Sequence, residues 1–281
     1  MTAGTRGFSR RLAPLWGILN QLDGLGILTW GILILKYSFS GELKLLIHPN
    51  YFALVTVTGF ILSSLGGLRL FQTIRRWLKR SGSANQPLDQ DSVTHVSVLP
   101  LGVGTLLLLS TAILGLLISP SVFTSQLAIQ RGISNTLPPT QVQAESFAAQ
   151  IKPEDRTLVD WIRTINAYPE PDVYAGQKAN LTGFVVYPDY LPDNYLLISR
   201  FILTCCAVDV YPVALPVKLE GSRQQYPQDT WLEIQGEMAT ETLPMGSGER
   251  GTSSAERRQL VLAAQSLKTI PTPDDPYSYA D

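Results

Sequence analysis

The sequence predicts a membrane protein in two parts: an α-helical region of three transmembrane helices over residues 1–119 and a mainly β, OB-like small barrel over 151–281, joined by a polar linker at 120–150. Three observations predict it. Apolar runs at about 15–37, 51–71 and 96–118 each have the ~20 residues that, at ~1.5 Å rise, cover a ~30 Å hydrocarbon core. The formal charge changes sign between the halves: residues 1–150 hold eleven Lys and Arg against five Asp and Glu, and residues 151–281 hold eleven against eighteen. Five short apolar segments separated by turn clusters follow residue 180, which with one helix fit a small, partly open barrel of the OB type, a sandwich being the alternative.

The first run, Leu15 to Tyr37, is interrupted by Asn20, Gln21 and Asp23. A carboxylate inside a span costs about 2.5 to 3.5 kcal/mol on insertion scales, so Asp23 is expected either to face another helix or to reach the headgroups. A cleaved signal peptide does not fit, because the run is too long and two more follow. In the second run, Ser63 and Gly67 form a small-xxx-small pair for helix approach, and Gly66, Gly102 and Gly104 also suit helix contacts.

Arg6, Arg10 and Arg11 precede the first run, and Arg69, Arg75, Arg76, Lys79 and Arg80 cluster at the end of the second, whereas the loop between them has only Lys36 and Lys44. The positive-inside rule then puts the N-terminus in the cytoplasm and, after three spans, the C-terminal domain outside it, in a multi-pass protein of the cell membrane. Nucleic acid is excluded as a partner, since the acidic half repels phosphates and the basic residues serve topology.

The stretch 120–150 is rich in Ser, Thr and Gln, with Pro138 and Pro139 together, and reads as a tether with a helical piece around Ala144 to Ala149. Next comes a helix: Pro153 suits its first turn, Glu154 and Asp155 favour its N-terminus, Leu158, Ile162 and Ile165 keep helical spacing, and it stops before Pro169. Strands are expected at Leu181 to Tyr187, Tyr195 to Cys205, Val213 to Val217, Thr230 to Met238 and Gln259 to Leu267. In the fourth, Leu232, Ile234, Gly236 and Met238 alternate with polar residues, so one face is buried. Met245 to Ala255 reads as a hairpin tip, and the proline-rich tail Pro271 to Tyr277 is expected to be irregular.

The only two cysteines are adjacent, Cys205-Cys206. Neighbouring Cα atoms ~3.8 Å apart fall below the usual disulfide range, which disfavours an ordinary bridge. In an extended strand the two thiols would point to opposite faces, but the following Ala207 to Pro212 permits a turn that brings Cys205, Cys206 and the Asp209 carboxylate onto a zinc or copper ion. The other reading is two small residues buried at a strand end. A redox role needs a lowered thiol pKa, and Arg200 is the nearest cation in sequence. The sequence has no P-loop, Gly-x-Ser-x-Gly, His-Glu-x-x-His or Cys-x-x-Cys, and its only histidines, His48 and His95, lie outside this domain, so an enzyme is not expected.

The run Ser199 to Ala214 contains Arg200-Phe201, Cys205-Cys206, Asp209 and Pro212. It resembles the signature of the YcgQ-like proteins, a bacterial family assigned as subunits of two-component permeases. The likeness extends to Gly41 to Pro49, with its His-Pro step, to Gly183 to Val185, and to the closing Pro276 to Tyr279. It implies a partner, a separate polytopic permease, and for some relatives a link to metal supply. Two departures are that Ser81 to Val96 offers only His95 where many relatives have a histidine-rich stretch, and that Ala214 stands in place of a glycine. The expected function is a noncatalytic accessory subunit whose outer domain binds solute, metal or partner. The alternatives are a membrane-anchored thiol-dependent metal or redox module, and an assembly scaffold without a ligand.

Overall fold

A computed structural model describes residues 23–80, 103–133, 152–244 and 256–279. The chain divides into two compact units, Met1–Pro120 and Ser121–Asp281.

In the first unit, helix α1 spans Asp23–Ser40, α2 Phe52–Arg80 and α3 Val103–Leu117. Gly41, at φ 77°, turns the chain out of α1 into two 3-10 turns, Glu42–Leu45 and Pro49–Tyr51. The His-Pro step gains a physical reason there: the buried His48 is the N-cap of the second turn, its Nδ1 accepting the Asn50 N–H at 3.2 Å, and Pro49 fills the first position, where no N–H is needed. Helices α1 and α2 pack nearly backbone to backbone. A Cβ added at Gly66 would lie 2.5 Å from the Leu28 nitrogen, and one at Gly31 would lie 2.5 Å from Ser63 Oγ. The close approach thus uses Ser63 with Gly66, whereas Gly67, expected as the partner of Ser63, and Gly104 face open space among the described residues. Gly102 lies outside the described residues. Helix α3 is tied to α1 by Trp30 Nε1, which donates to the Leu108 carbonyl at 2.9 Å, and by the Tyr37 hydroxyl, which donates to Gly115 at 2.5 Å.

The stretch Pro49–Arg75, which contains an 18-residue window of mean hydropathy 1.7, is long and apolar enough to cross a membrane. Its large apolar side chains point outward: Leu54, Phe60, Leu68 and Phe71 are all more than half exposed. The other two apolar helices, Gly24–Ser40 and Val103–Leu117, are shorter than a span over the described residues. At ~1.5 Å per residue the second covers only about 22 Å. Residues 15–22 and 96–102, which complete the expected spans, lie outside the described residues.

The second unit carries helices α4, Ser125–Arg131, and α5, Leu158–Ala167, and strands β1 Lys178–Val186, β2 Tyr195–Leu203, β3 Tyr211–Lys218, β4 Trp231–Pro244, β5 Glu256–Ile270 and β6 Tyr277–Tyr279. The sheet runs β1-β4-β5-β3-β2-β6, and β1 also pairs with β2, so each of the first five strands has two partners among the five, and β2 has β6 as a third. All pairings are antiparallel except β3 with β5 and β2 with β6. Gly183 allows β1 to reach β2, since a Cβ there would strike the Ser199 carbonyl. Leu181, Val185, Ile198, Val213, Leu232, Ile234 and Met238 form the core, and α5 covers it with Leu158, Trp161 and Ile162, spaced three and four apart.

Each of the five expected strands is found, with β4 and β5 longer than expected. Three elements differ. Helix α5 starts at Leu158, because Thr157 makes a capping box with Asp160: Asp160 N–H donates to Thr157 Oγ1 at 3.2 Å and Thr157 N–H to Asp160 Oδ2 at 3.0 Å. Pro153 instead opens a separate 3-10 turn, Pro153–Asp155. Within the stretch read as a tether, α4 is folded against the sheet unit, with Ala128 fully buried. The expected helical piece at 144–149 and the hairpin tip at 245–255 lie outside the described residues. Finally, the tail is irregular only through Pro276: Tyr277 opens β6, paired in parallel with β2 at Phe201. Its ring is stacked on Phe123 and edge-on to Phe201, and this burial holds a strand that the prolines before it conceal.

Candidate functional site

Strand β2 was expected to run through Cys205 but ends at Leu203, and the reason is the Asp209 carboxylate. Its Oδ2 accepts the Cys205 N–H at 3.0 Å and its Oδ1 the Cys206 N–H at 3.1 Å, removing both donors from the ladder. The Asp209 N–H donates to the Cys206 carbonyl at 3.1 Å, closing a tight turn. The backbone therefore turns at the pair, and the thiols do not point to opposite faces. Cys205 Sγ lies 3.7 Å from Cys206 Sγ, and the two sulfurs and a carboxylate oxygen all fall within 4.8 Å of one another. The thiols are free; Cys205 and Asp209 are exposed and Cys206 is half-buried. The alternative of two small residues buried at a strand end does not describe them.

These contacts perturb both groups. The Cys205 thiol is pushed up to about 12, first by its hydrogen bond to Asp209, then by Cys206, by burial and by the Asp209 charge. For Asp209, burial works upward but is outweighed by hydrogen bonds from the Cys205 thiol, the Cys206 N–H, the Thr204 hydroxyl and the Cys205 N–H, which together hold the carboxyl below its usual range. Asp209 is thus an anion at neutral pH and Cys205 a protonated thiol.

The donor set suits a borderline cation. Two sulfurs each ~2.3 Å from a tetrahedral zinc lie roughly 3.8 Å apart, close to the separation found. A carboxylate has about four lone-pair sites, and loss of the Cys205 thiol proton frees one of the four that Asp209 uses here, so Asp209 can ligate without leaving the turn. Three donors leave a fourth position open, the pattern of sites that exchange ligands.

The remaining signature residues build the seat of this turn. Arg200 donates from Nη2 to the Asp275 carbonyl at 2.6 Å and lies 5.8 Å from the Trp231 ring, pinning the tail that carries β6. Phe201 is fully buried, stacked on Phe184 and against Phe123. Pro212 pairs opposite Phe201 near the start of β3. In the first unit, Asp23 heads α1, while Asn20 and Gln21 lie outside the described residues.

One participant was not foreseen. Arg131, at the end of α4, donates from Nη1 to the carbonyls of Val208, at 3.0 Å, and Val210. It is separated from them by 77 and 79 residues, and no local pattern marks it.

A family model described as the DUF1980 C-terminal domain matches residues 137–280. The chain belongs to this family. Its DUF1980 C-terminal domain thus spans the strands, the cysteine turn and the closing tyrosines, which agrees with the resemblance to the YcgQ-like proteins. No curated protein and no solved structure matches the chain.

Proposed function

We propose that this protein is a noncatalytic accessory subunit of a polytopic permease, anchored by three membrane helices, whose DUF1980 domain lies outside the cytoplasm and holds a soft cation at Cys205, Cys206 and Asp209. The observation that carries the cation reading is the 3.7 Å approach of the two sulfurs beside an anchored carboxylate. Zinc fits better than copper(I), because a carboxylate is a poor ligand for the softer ion. The cycle of pairings β1-β2-β3-β5-β4-β1, with β3 and β5 parallel, supports a closed five-stranded barrel of the OB type. The outward apolar side chains of α2 and the cationic cluster in its C-terminal part support lipid anchoring with that end in the cytoplasm. A redox role for the pair is disfavoured, since a thiol raised to about 12 is a poor source of thiolate.

Affinity capture of the full chain from gentle detergent tests both halves. The proposal expects a second, polytopic membrane protein in the eluate and stoichiometric zinc that is lost in C205S/C206S. An eluate free of other membrane proteins overturns the subunit assignment, and zinc unaffected by the double substitution overturns the cation site. Orientation is tested in intact cells with an impermeant maleimide on K268C in the C205S/C206S background; labelling only after lysis overturns it.

A further inference from the structure

We infer that Arg131 is a positioning residue of the cation site, clamping the loop that carries Asp209 from outside; this rests on the cation-binding reading above. Its guanidinium bonds the carbonyls of Val208 and Val210, the two residues that flank Asp209. The loop needs such a hold, because Val208 is 81% exposed and contributes nothing to the core. Within the loop, the Asp209 carboxylate and N–H already bond back to the two cysteines. Arg131 supplies the opposing constraint on the other side of the same residue.

The clamp is itself anchored. Ala128 is fully buried, and the Ser125 N–H at the start of α4 donates to the Asp229 carboxylate. The Asp229 N–H in turn bonds the Val185 carbonyl of β1, at 3.1 Å. Just before α4, Phe123 is stacked on Tyr277 at 5.4 Å between centroids. The arginine therefore reaches from a fixed base, and its Nη1 alone bridges the two carbonyls, a position that a lysine ammonium, on a side chain one bond shorter, does not reach equally well. Two thiolates, one carboxylate and one dication leave a formal charge of −1, which the guanidinium offsets across the loop.

The test is a cobalt(II) titration of the full-length protein in detergent, cobalt standing in for zinc with a thiolate charge-transfer band. The parent is expected to bind one equivalent with that band. R131Q is expected to reach the same band at saturation but with a midpoint raised about tenfold or more, the usual cost of losing a residue that orients a ligand. R131K recovers only part of the affinity. Because Arg131 is exposed and ends its helix, its replacement leaves the core untouched, and the unchanged band at saturation separates weakened positioning from misfolding. Should R131Q melt early, R131K alone gives the same reading. An R131Q or R131K titration identical to the parent overturns the inference while leaving the cation site standing; absence of the band in the parent overturns both.

Discussion

Cys205 should react far more slowly than an ordinary exposed thiol, although solvent reaches it. Its pKa is pushed from 9.0 to about 12, chiefly by the hydrogen bond to Asp209. At pH 8 that shift lowers the thiolate share about a thousandfold, since each unit is tenfold. A more basic thiolate is also the better nucleophile, and a Brønsted slope of about 0.4 to 0.5 returns roughly 15- to 30-fold, leaving a net retardation of about 30- to 60-fold. The assay is the second-order rate of a small aromatic disulfide with C206S protein between pH 7 and 10.5. That variant lacks the contribution of Cys206, so at least about tenfold retardation against a peptide thiol is expected at pH 8. In D209N/C206S the carboxylate that favours the protonated thiol is gone, so the pKa falls, the thiolate share rises and the reaction accelerates. A C206S protein as fast as a peptide thiol at pH 8, and indifferent to D209N, would refute the assigned contact.

Other consequences can be checked alongside. Gly66→Ala places a methyl 2.5 Å from the Leu28 nitrogen and should destabilise the α1–α2 pair by about 1 to 3 kcal/mol, whereas Gly67→Ala, facing open space, should leave the detergent melting temperature unchanged. Phe201→Ala empties the centre of the Phe123, Phe184 and Tyr277 cluster and should cost about 3 to 5 kcal/mol in denaturant unfolding of the β domain; a loss under 1 kcal/mol would contradict its burial. Zinc binding must displace the Cys205 proton, so the apparent affinity should strengthen with rising pH, by at least about tenfold per unit between pH 6 and 8. A competition titration that is flat over that range would exclude the thiol as a ligand.

The parts legible in the sequence are those fixed by local periodicity. Leu232, Ile234 and Met238 are buried as their alternation requires, and the turn clusters separate the five strands correctly. The Thr157-x-x-Asp160 cap was equally visible, but Pro153 and its acidic neighbours imitate a helix start five residues too early. What was hidden depends on distant contacts. The β6 strand exists because Tyr277 fits between Phe123 and Phe201, and proline spacing says nothing of that. Helix glycines at 66 and 67 are equivalent by composition; only the rotation of α2 against α1 makes Gly66 the contact. At the cysteine turn, the donor types and their spacing were readable, and so was the need for a bend. The device that makes the bend, Asp209 accepting both cysteine N–H groups, and the Arg131 clamp on its flanks are three-dimensional facts.

The most direct measurement is X-ray absorption at the zinc edge on the loaded full-length protein. The account predicts two sulfur neighbours at about 2.3 Å and two lighter oxygen or nitrogen neighbours at about 2.0 to 2.2 Å. A first shell of oxygen and nitrogen alone, or one that keeps its sulfur in C205S/C206S, would contradict it.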